Sequence, residues 1–124
     1  MSNVLAQGKE DERMQLNRIY NEDCLEGMKR ILDKSIDMIL CDLPYGTTAC
    51  KWDTIIPFEP LWEQYERIIK DNGVIALFGS EPFSSELRLS NKSDYKYDIY
   101  WVKEKPTNFM QVKRRVGKLT ENVS

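Results

Sequence analysis

Residues Ile36–Gly46 read IDMILCDLPYG, an apolar run that stops on an acid, a proline, a tyrosine and a glycine. One reading is a strand followed by an ordinary turn, because Asp, Pro and Gly are common turn residues. A sharper reading is a ligand pocket. In open α/β sheets, ligands sit just beyond the carboxyl ends of parallel strands, where Asp42 and Tyr45 would stand.

The segments on either side supply the context. Upstream, MQLNRIY has the short alternation of a strand. NEDCLEGMKRILDK follows, with Leu25, Met28, Ile31 and Leu32 at helical spacing and Asp23 or Asn21 as N-cap. IDMILC is then nearly continuous in apolar residues, as a strand covered on both faces must be. Downstream, PFEPLWEQYERIIK sets Leu61, Trp62, Tyr65, Ile68 and Ile69 on one face, with Pro60 in the first turn and Gly73 ending the helix. VIALFG reads as a second buried strand, Ser80 and Pro82 open another helix through Leu89, and YKYDIYWV alternates as a strand with two unlike faces. Strands alternating with helical patterns predict an α/β fold with a mostly parallel sheet and helices on both faces.

The chain has 124 residues, a one-domain length, with 41% hydrophobic and 31% charged residues as in a soluble globular protein. Residues 1–14 read as a loosely ordered polar leader and 15–124 as the organised part. No apolar run is long enough to span a bilayer and the first residues lack the apolar core of a secretion signal, so a cytoplasmic location is expected. The three cysteines, Cys24, Cys41 and Cys50, form no CxxC and are expected to be reduced and mostly buried. Histidine is absent, which excludes Ser-His-Asp and Cys-His nucleophiles and the commonest metal ligand; no metal site is expected. Between Trp101 and Ser124 there are six Lys or Arg against two Glu, so this end is basic.

Chemistry is therefore left to carboxylates, backbone, aromatics or a cofactor. Asp42 offers carboxylate oxygens, the Leu43 carbonyl offers a second acceptor and Tyr45 offers a ring to stack on. Two acceptors and one stacking face fit the exocyclic amino group of a nucleobase. The lone pair of such a nitrogen is delocalised into the ring, and acceptors on both its hydrogens favour the pyramidal form that frees it. After alkylation the nitrogen's protons become acidic, and Asp42 or water can remove one. Pro44 biases Leu43 toward extended backbone and removes one donor from the rim.

From about Gln15 onward the sequence resembles the amino-methyltransferases that methylate adenine N6 or cytosine N4 in DNA with S-adenosylmethionine. Their [DNS]-P-P-[YFW] signature is matched by Asp42, Leu43, Pro44 and Tyr45, with Leu43 in place of the first proline. YNEDCLEGMKRILDKSIDMILCDLPYG, IALFGSEPF and WVKEKPTNF are similar as well. The resemblance implies a partial Rossmann-like methyltransferase fold, with Asp42, Leu43, Pro44 and Tyr45 catalytic and only the backbone of Leu43 used. It implies cofactor contacts from Asp23, Phe78 and Gly79, and contacts near a flipped base from Trp101, Asn108 and Phe109. Lys113, Arg114, Arg115 and Lys118 would meet DNA phosphates. Asp42 favours adenine over cytosine as the target.

The family's F-x-G-x-G cofactor loop has no counterpart, because none of the six glycines forms G-x-G. Where the family often places a histidine before a Glu-Asn-like pair, Thr120 precedes Glu121 and Asn122. The chain is thus expected to be the catalytic-motif part of a methyltransferase and to lack most of the cofactor cradle. A second polypeptide supplying the glycine-rich half is an expected partner beside DNA. Alternatives are an RNA or protein methyltransferase of the same fold and a non-catalytic nucleic-acid-binding remnant; the acidic pI of about 5.3 weighs against DNA binding by the chain alone.

Overall fold

The computed structural model describes residues 13–107 and 118–123. In chain order they form α1 (Cys24–Met28), β1 (Ile36–Asp42), α2 (Phe58–Ile68), β2 (Ile69–Gly79), α3 (Phe83–Ser90), β3 (Ile99–Thr107) and β4 (Lys118–Val123). The four strands make one sheet in the order β1-β2-β4-β3. β1 and β2 are parallel, with Ile39 beside Ile75, Cys41 beside Leu77 and Asp42 beside Phe78. β4 runs antiparallel to both of its neighbours, pairing Gly79 with Asn122 and Tyr100 with Asn122 on its two edges. The class is α/β, as the alternation of strand and helix patterns predicts. The sheet expected to be mostly parallel is parallel only between β1 and β2, because β4 returns antiparallel on both sides, and the helices expected on both faces share one among the described residues.

The core explains why these segments became these elements. Leu61, Tyr65 and Ile68 recur at helical spacing along α2 and are buried. They pack with Met28 of α1, Phe83 and Leu87 of α3, and Leu77 of β2; Ile39, Cys41 and Ile75 adjoin this cluster. All three helices therefore lie against one sheet face. Full burial of an aliphatic side chain such as Leu61 contributes about 1.5–3 kcal/mol. Inside this cluster, burial and a hydrogen bond with Cys41 push the Tyr65 phenol well above its ordinary pKa. Met38, Leu40 and Val74 point to the opposite face and are exposed there. The apolar run of β1, expected to be covered on both faces, is covered on one among the described residues.

Two helix boundaries differ from the periodicity. α1 stops at Met28 rather than running through the predicted stretch to Lys34. The Arg67 guanidinium takes carbonyls at and just beyond its end, Nη2 donating to Met28 O and Nη1 to Ile31 O, each at 2.7 Å. The favour is returned, since the backbone N–H groups of Lys34 and Ser35 donate to Arg67 O and Ile68 O at 2.9 Å. This docking ends α2 at Ile68, and Ile69 already has extended backbone. Gly73, expected to close the helix, instead lies in β2 where the register with β1 is irregular. A Cβ at Gly73 would stand 2.6 Å from Ile69 Cγ1, so the close approach requires glycine.

The strand expected at MQLNRIY is not formed. Residues 16 and 17 make a turn, Asn17 has φ 57°, and Leu16 and Ile19 face solvent. Alternation alone cannot make a strand without a neighbouring edge to complete its hydrogen bonds, and this segment has none among the described residues. The cysteines are free, as expected, but Cys24 and Cys50 are exposed because they sit at a helix start and in a surface loop. No helix among the described residues is long and apolar enough to cross a membrane.

Candidate functional site

β1 ends at Asp42, and the chain leaves the sheet there through Leu43, Pro44 and Tyr45. The carboxylate is exposed at the carboxyl edge of the parallel pair. Tyr45 turns back toward it, its hydroxyl donating to Asp42 Oδ1 at 3.1 Å. The Tyr45 ring stacks on Phe83 with centroids 5.1 Å apart and planes inclined by 29°. Phe83 is itself buried and packs against Phe58, so the start of α2 and the start of α3 together fix the tyrosine. The sequence-predicted pair of carboxylate and aromatic ring is therefore brought together.

Leu43 behaves differently from the expectation that only its backbone is used. Its side chain is 5% exposed and belongs to the core cluster. The departure from proline at this position thus has a packing role: it pins the start of the loop to the helices beneath it. Pro44 and Tyr45 are half-buried above it.

The loop that follows is closed by a residue the sequence reading did not single out. Asp53 is 9% exposed, and its two carboxylate oxygens accept from the backbone N–H of Gly46 at 2.9 Å and of Thr48 at 2.7 Å. Hydrogen bonds from the Thr48 side chain and then from the Gly46 and Thr48 amides hold this carboxyl below its ordinary pKa. Gly46 has φ 70°, and a Cβ there would lie 2.8 Å from Ile55 Cγ1. The available signal was an acid seven residues after a turn glycine, in a segment that otherwise reads as solvated loop.

Together these residues enclose a cavity of about 320 Å³ lined by Asp42–Tyr45, Thr47, Thr48, Trp52 and Asp53, near the lower end of ligand-site volumes. A larger cavity of about 610 Å³ lies between α2, α3 and the 91–97 segment and shares no lining residue with the first. Several of its polar groups are already paired: Lys34 with Asp71, Arg88 with Asp98 outside the lining, and Asn91 as donor to Glu66 and Asp94. The smaller cavity is the one at the carboxyl end of the parallel pair, with the Asp42 carboxylate beside the Tyr45 ring, which makes it the chemical candidate.

The remaining predicted residues are distributed as follows. Asp23 is the N-cap of α1, its Oδ1 accepting from Leu25 N at 2.8 Å and Glu26 N at 3.3 Å. The adjacent Cys24 thiol is pushed up by burial, then by the charge of Asp23 and by Cys41. Leu25 of α1 and Cys41 of β1 pack against the same core cluster, which brings the start of α1 toward the last residues of β1. Gly79 ends β2, and a Cβ on it would crowd the buried Ser84 side chain at the start of α3, so glycine suits the close approach of the helix to the strand end. Phe78 meets Trp101 edge-on at 6.1 Å, and neither lines the smaller cavity. Asn108, Phe109, Lys113, Arg114 and Arg115 lie outside the described residues. Lys118 begins β4, and its side chain is outside the description as well.

No family model matches the chain. Among solved structures, it is similar to M1.HpyAVI in complex with SAM, with a TM-score of 0.62 and 24% identity over 86% of this chain and 52% of that one. It is also similar to PvuII DNA methyltransferase, described as cytosine-N4-specific, with a TM-score of 0.58 and 13% identity over 84% of this chain and 46% of that one. The chain thus spans about half the length of the solved structures it matches. At this identity the likeness establishes a shared fold, the α/β fold of these methyltransferases.

Proposed function

We propose that this chain carries the base-binding part of a DNA amino-methyltransferase, which transfers a methyl group from S-adenosylmethionine to adenine N6 or cytosine N4. The observation that carries the reading is the meeting of Asp42 and Tyr45 on one cavity at the carboxyl end of β1. The fold shared with M1.HpyAVI and the PvuII enzyme supports it. In this reading Asp42 and the Leu43 carbonyl accept the two hydrogens of the amino group, and Tyr45 stacks on the base. The bond from the Tyr45 hydroxyl orients the carboxylate toward the cavity. After transfer, Asp42 or water takes the proton released from nitrogen. Pro44 and the buried Leu43 side chain keep the carbonyl in place.

The cofactor would supply an electrophilic methyl group. Asp23 fits one end of it, because an exposed carboxylate at the start of α1, near the end of β1, can accept from an adenine amino group; Phe78 and Gly79 would border it at the end of β2. We extend the proposal to a second polypeptide that supplies the remaining cradle. β1 is a terminal strand of the described sheet, and an open strand edge beside exposed Met38 and Leu40 suits added strands.

The test is mass spectrometry of nucleosides from host cells with and without the chain. Loss of N6-methyladenine or N4-methylcytosine on deletion, restored by the wild-type chain and not by Asp42→Ala, is the expected result. A methylated ribonucleoside or protein side chain changing instead would assign the chain to another substrate.

A further inference from the structure

Tyr45 can stack on a base from one side at most, because Phe83 already covers one face of its ring. A planar base held firmly in a cavity gains from a second ring on its other face. Among the described residues that line the smaller cavity, the only aromatic ring besides Tyr45 is Trp52. Trp52 is 75% exposed and stands between Lys51 and Asp53 in a loop that is otherwise polar. A large apolar ring left in water on such a loop is not explained by packing. The next residue, however, is the one that anchors the loop: Asp53 is held by backbone N–H groups on the far side of the turn, with a charged acceptor at both bonds. The backbone beside position 52 is thereby anchored, and the exposed indole stands on the cavity lining.

We propose that Trp52 is the second base-stacking residue of this site, and that Asp53 is a positioning residue whose latch to Gly46 and Thr48 holds the indole at the cavity rim. The inference rests on the base-binding reading above and adds a specificity element to it. A pocket with a ring on each side selects a flat heterocycle over an aliphatic amine or a protein amide of similar polarity. Because the indole is 75% exposed, its loss is expected to change stability little.

The probe is 2-aminopurine deoxyriboside, whose fluorescence is quenched by stacking, titrated into the full chain and its variants. Trp52→Ala is expected to weaken binding about tenfold, the equivalent of one lost stacking partner, and Trp52→Phe to restore most of it. Asp53→Ala is expected to weaken binding less and to accelerate hydrogen exchange at the Gly46 and Thr48 amides, a readout that needs no ligand. Binding that survives Trp52→Ala unchanged but is lost in Asp42→Ala would overturn the role of Trp52 and leave the base site standing. Absence of saturable quenching in the wild-type chain would overturn the base-binding reading, and this inference with it.

Discussion

Leu40 and Leu43 are three residues apart on the same run of chain, yet Leu40 is 63% exposed on the outer sheet face and Leu43 is 5% exposed beneath the site. The outer face of β1, with Met38 and Leu40, has no described element against it, whereas the tip of the strand is held from three directions. Leu43 enters the core, Tyr45 stacks on Phe83, and Asp53 ties Gly46 and Thr48 into a closed loop. The same residue type therefore means different things at the two places. At the tip it fixes the geometry of a carboxylate; on the outer face it is exposed surface.

The largest expected contrast is between the two acids of β1. On the proposed function, Asp42→Ala should lower methyl transfer by about a hundredfold or more. Asp37→Ala removes an exposed bridge to Lys70 and should leave transfer unchanged. Equal effects from the two, read from initial rates with labelled cofactor, would erase the distinction between strand tip and strand body.

The leucines come next. Leu43→Ala should cost about 2–5 kcal/mol in urea unfolding, and Leu40→Ala about 0.5 kcal/mol or less. Leu43→Pro would keep the backbone carbonyl but lose most of the buried side chain, so it should also be destabilising, contrary to what the family signature alone suggests. A stable Leu43→Pro chain would mean that the loop is held without this anchor.

Acidity gives a finer probe of the same loop. The Asp53 carboxyl has a lower pKa folded than unfolded, so its contribution to stability is complete above the unfolded value of about 3.9 and is lost as pH falls through the folded value. Exchange at the Gly46 and Thr48 amides, corrected for intrinsic pH dependence, should therefore stay protected at pH 5 and lose protection only in the strongly acidic range. Asp53→Asn should remove that pH dependence. The smallest effect is expected from Tyr45→Phe, which keeps the stacked ring and removes one exposed hydrogen bond. It should change base affinity by about 1 kcal/mol or less.

Much of this was legible in the residues. The α2 face of Leu61, Tyr65 and Ile68, the Asp23 cap and the placement of Asp42 and Tyr45 after a strand all follow from local spacing, because each depends on neighbours a few residues away. What was not legible depends on distant partners. The short α1 and the early end of α2 come from Arg67 reaching Met28 and Ile31, contacts across more than thirty residues that leave no periodic trace. The Asp53 latch is invisible for a similar reason, since an acid in a polar loop reads the same whether it is solvated or closes the turn. The failed strand at MQLNRIY shows the converse: a local pattern was present, but no partner edge was there to use it.

The claim that the site lies at the tip of β1 can be tested directly by mapping amide chemical-shift changes as deoxyadenosine is added to the labelled chain. Saturable changes are expected at Asp42, Tyr45, Gly46, Thr48 and Trp52, with the 91–97 segment beside the larger cavity unaffected. Changes confined to Asn91, Tyr95 and Tyr97, with Asp42 and Tyr45 silent, would contradict it.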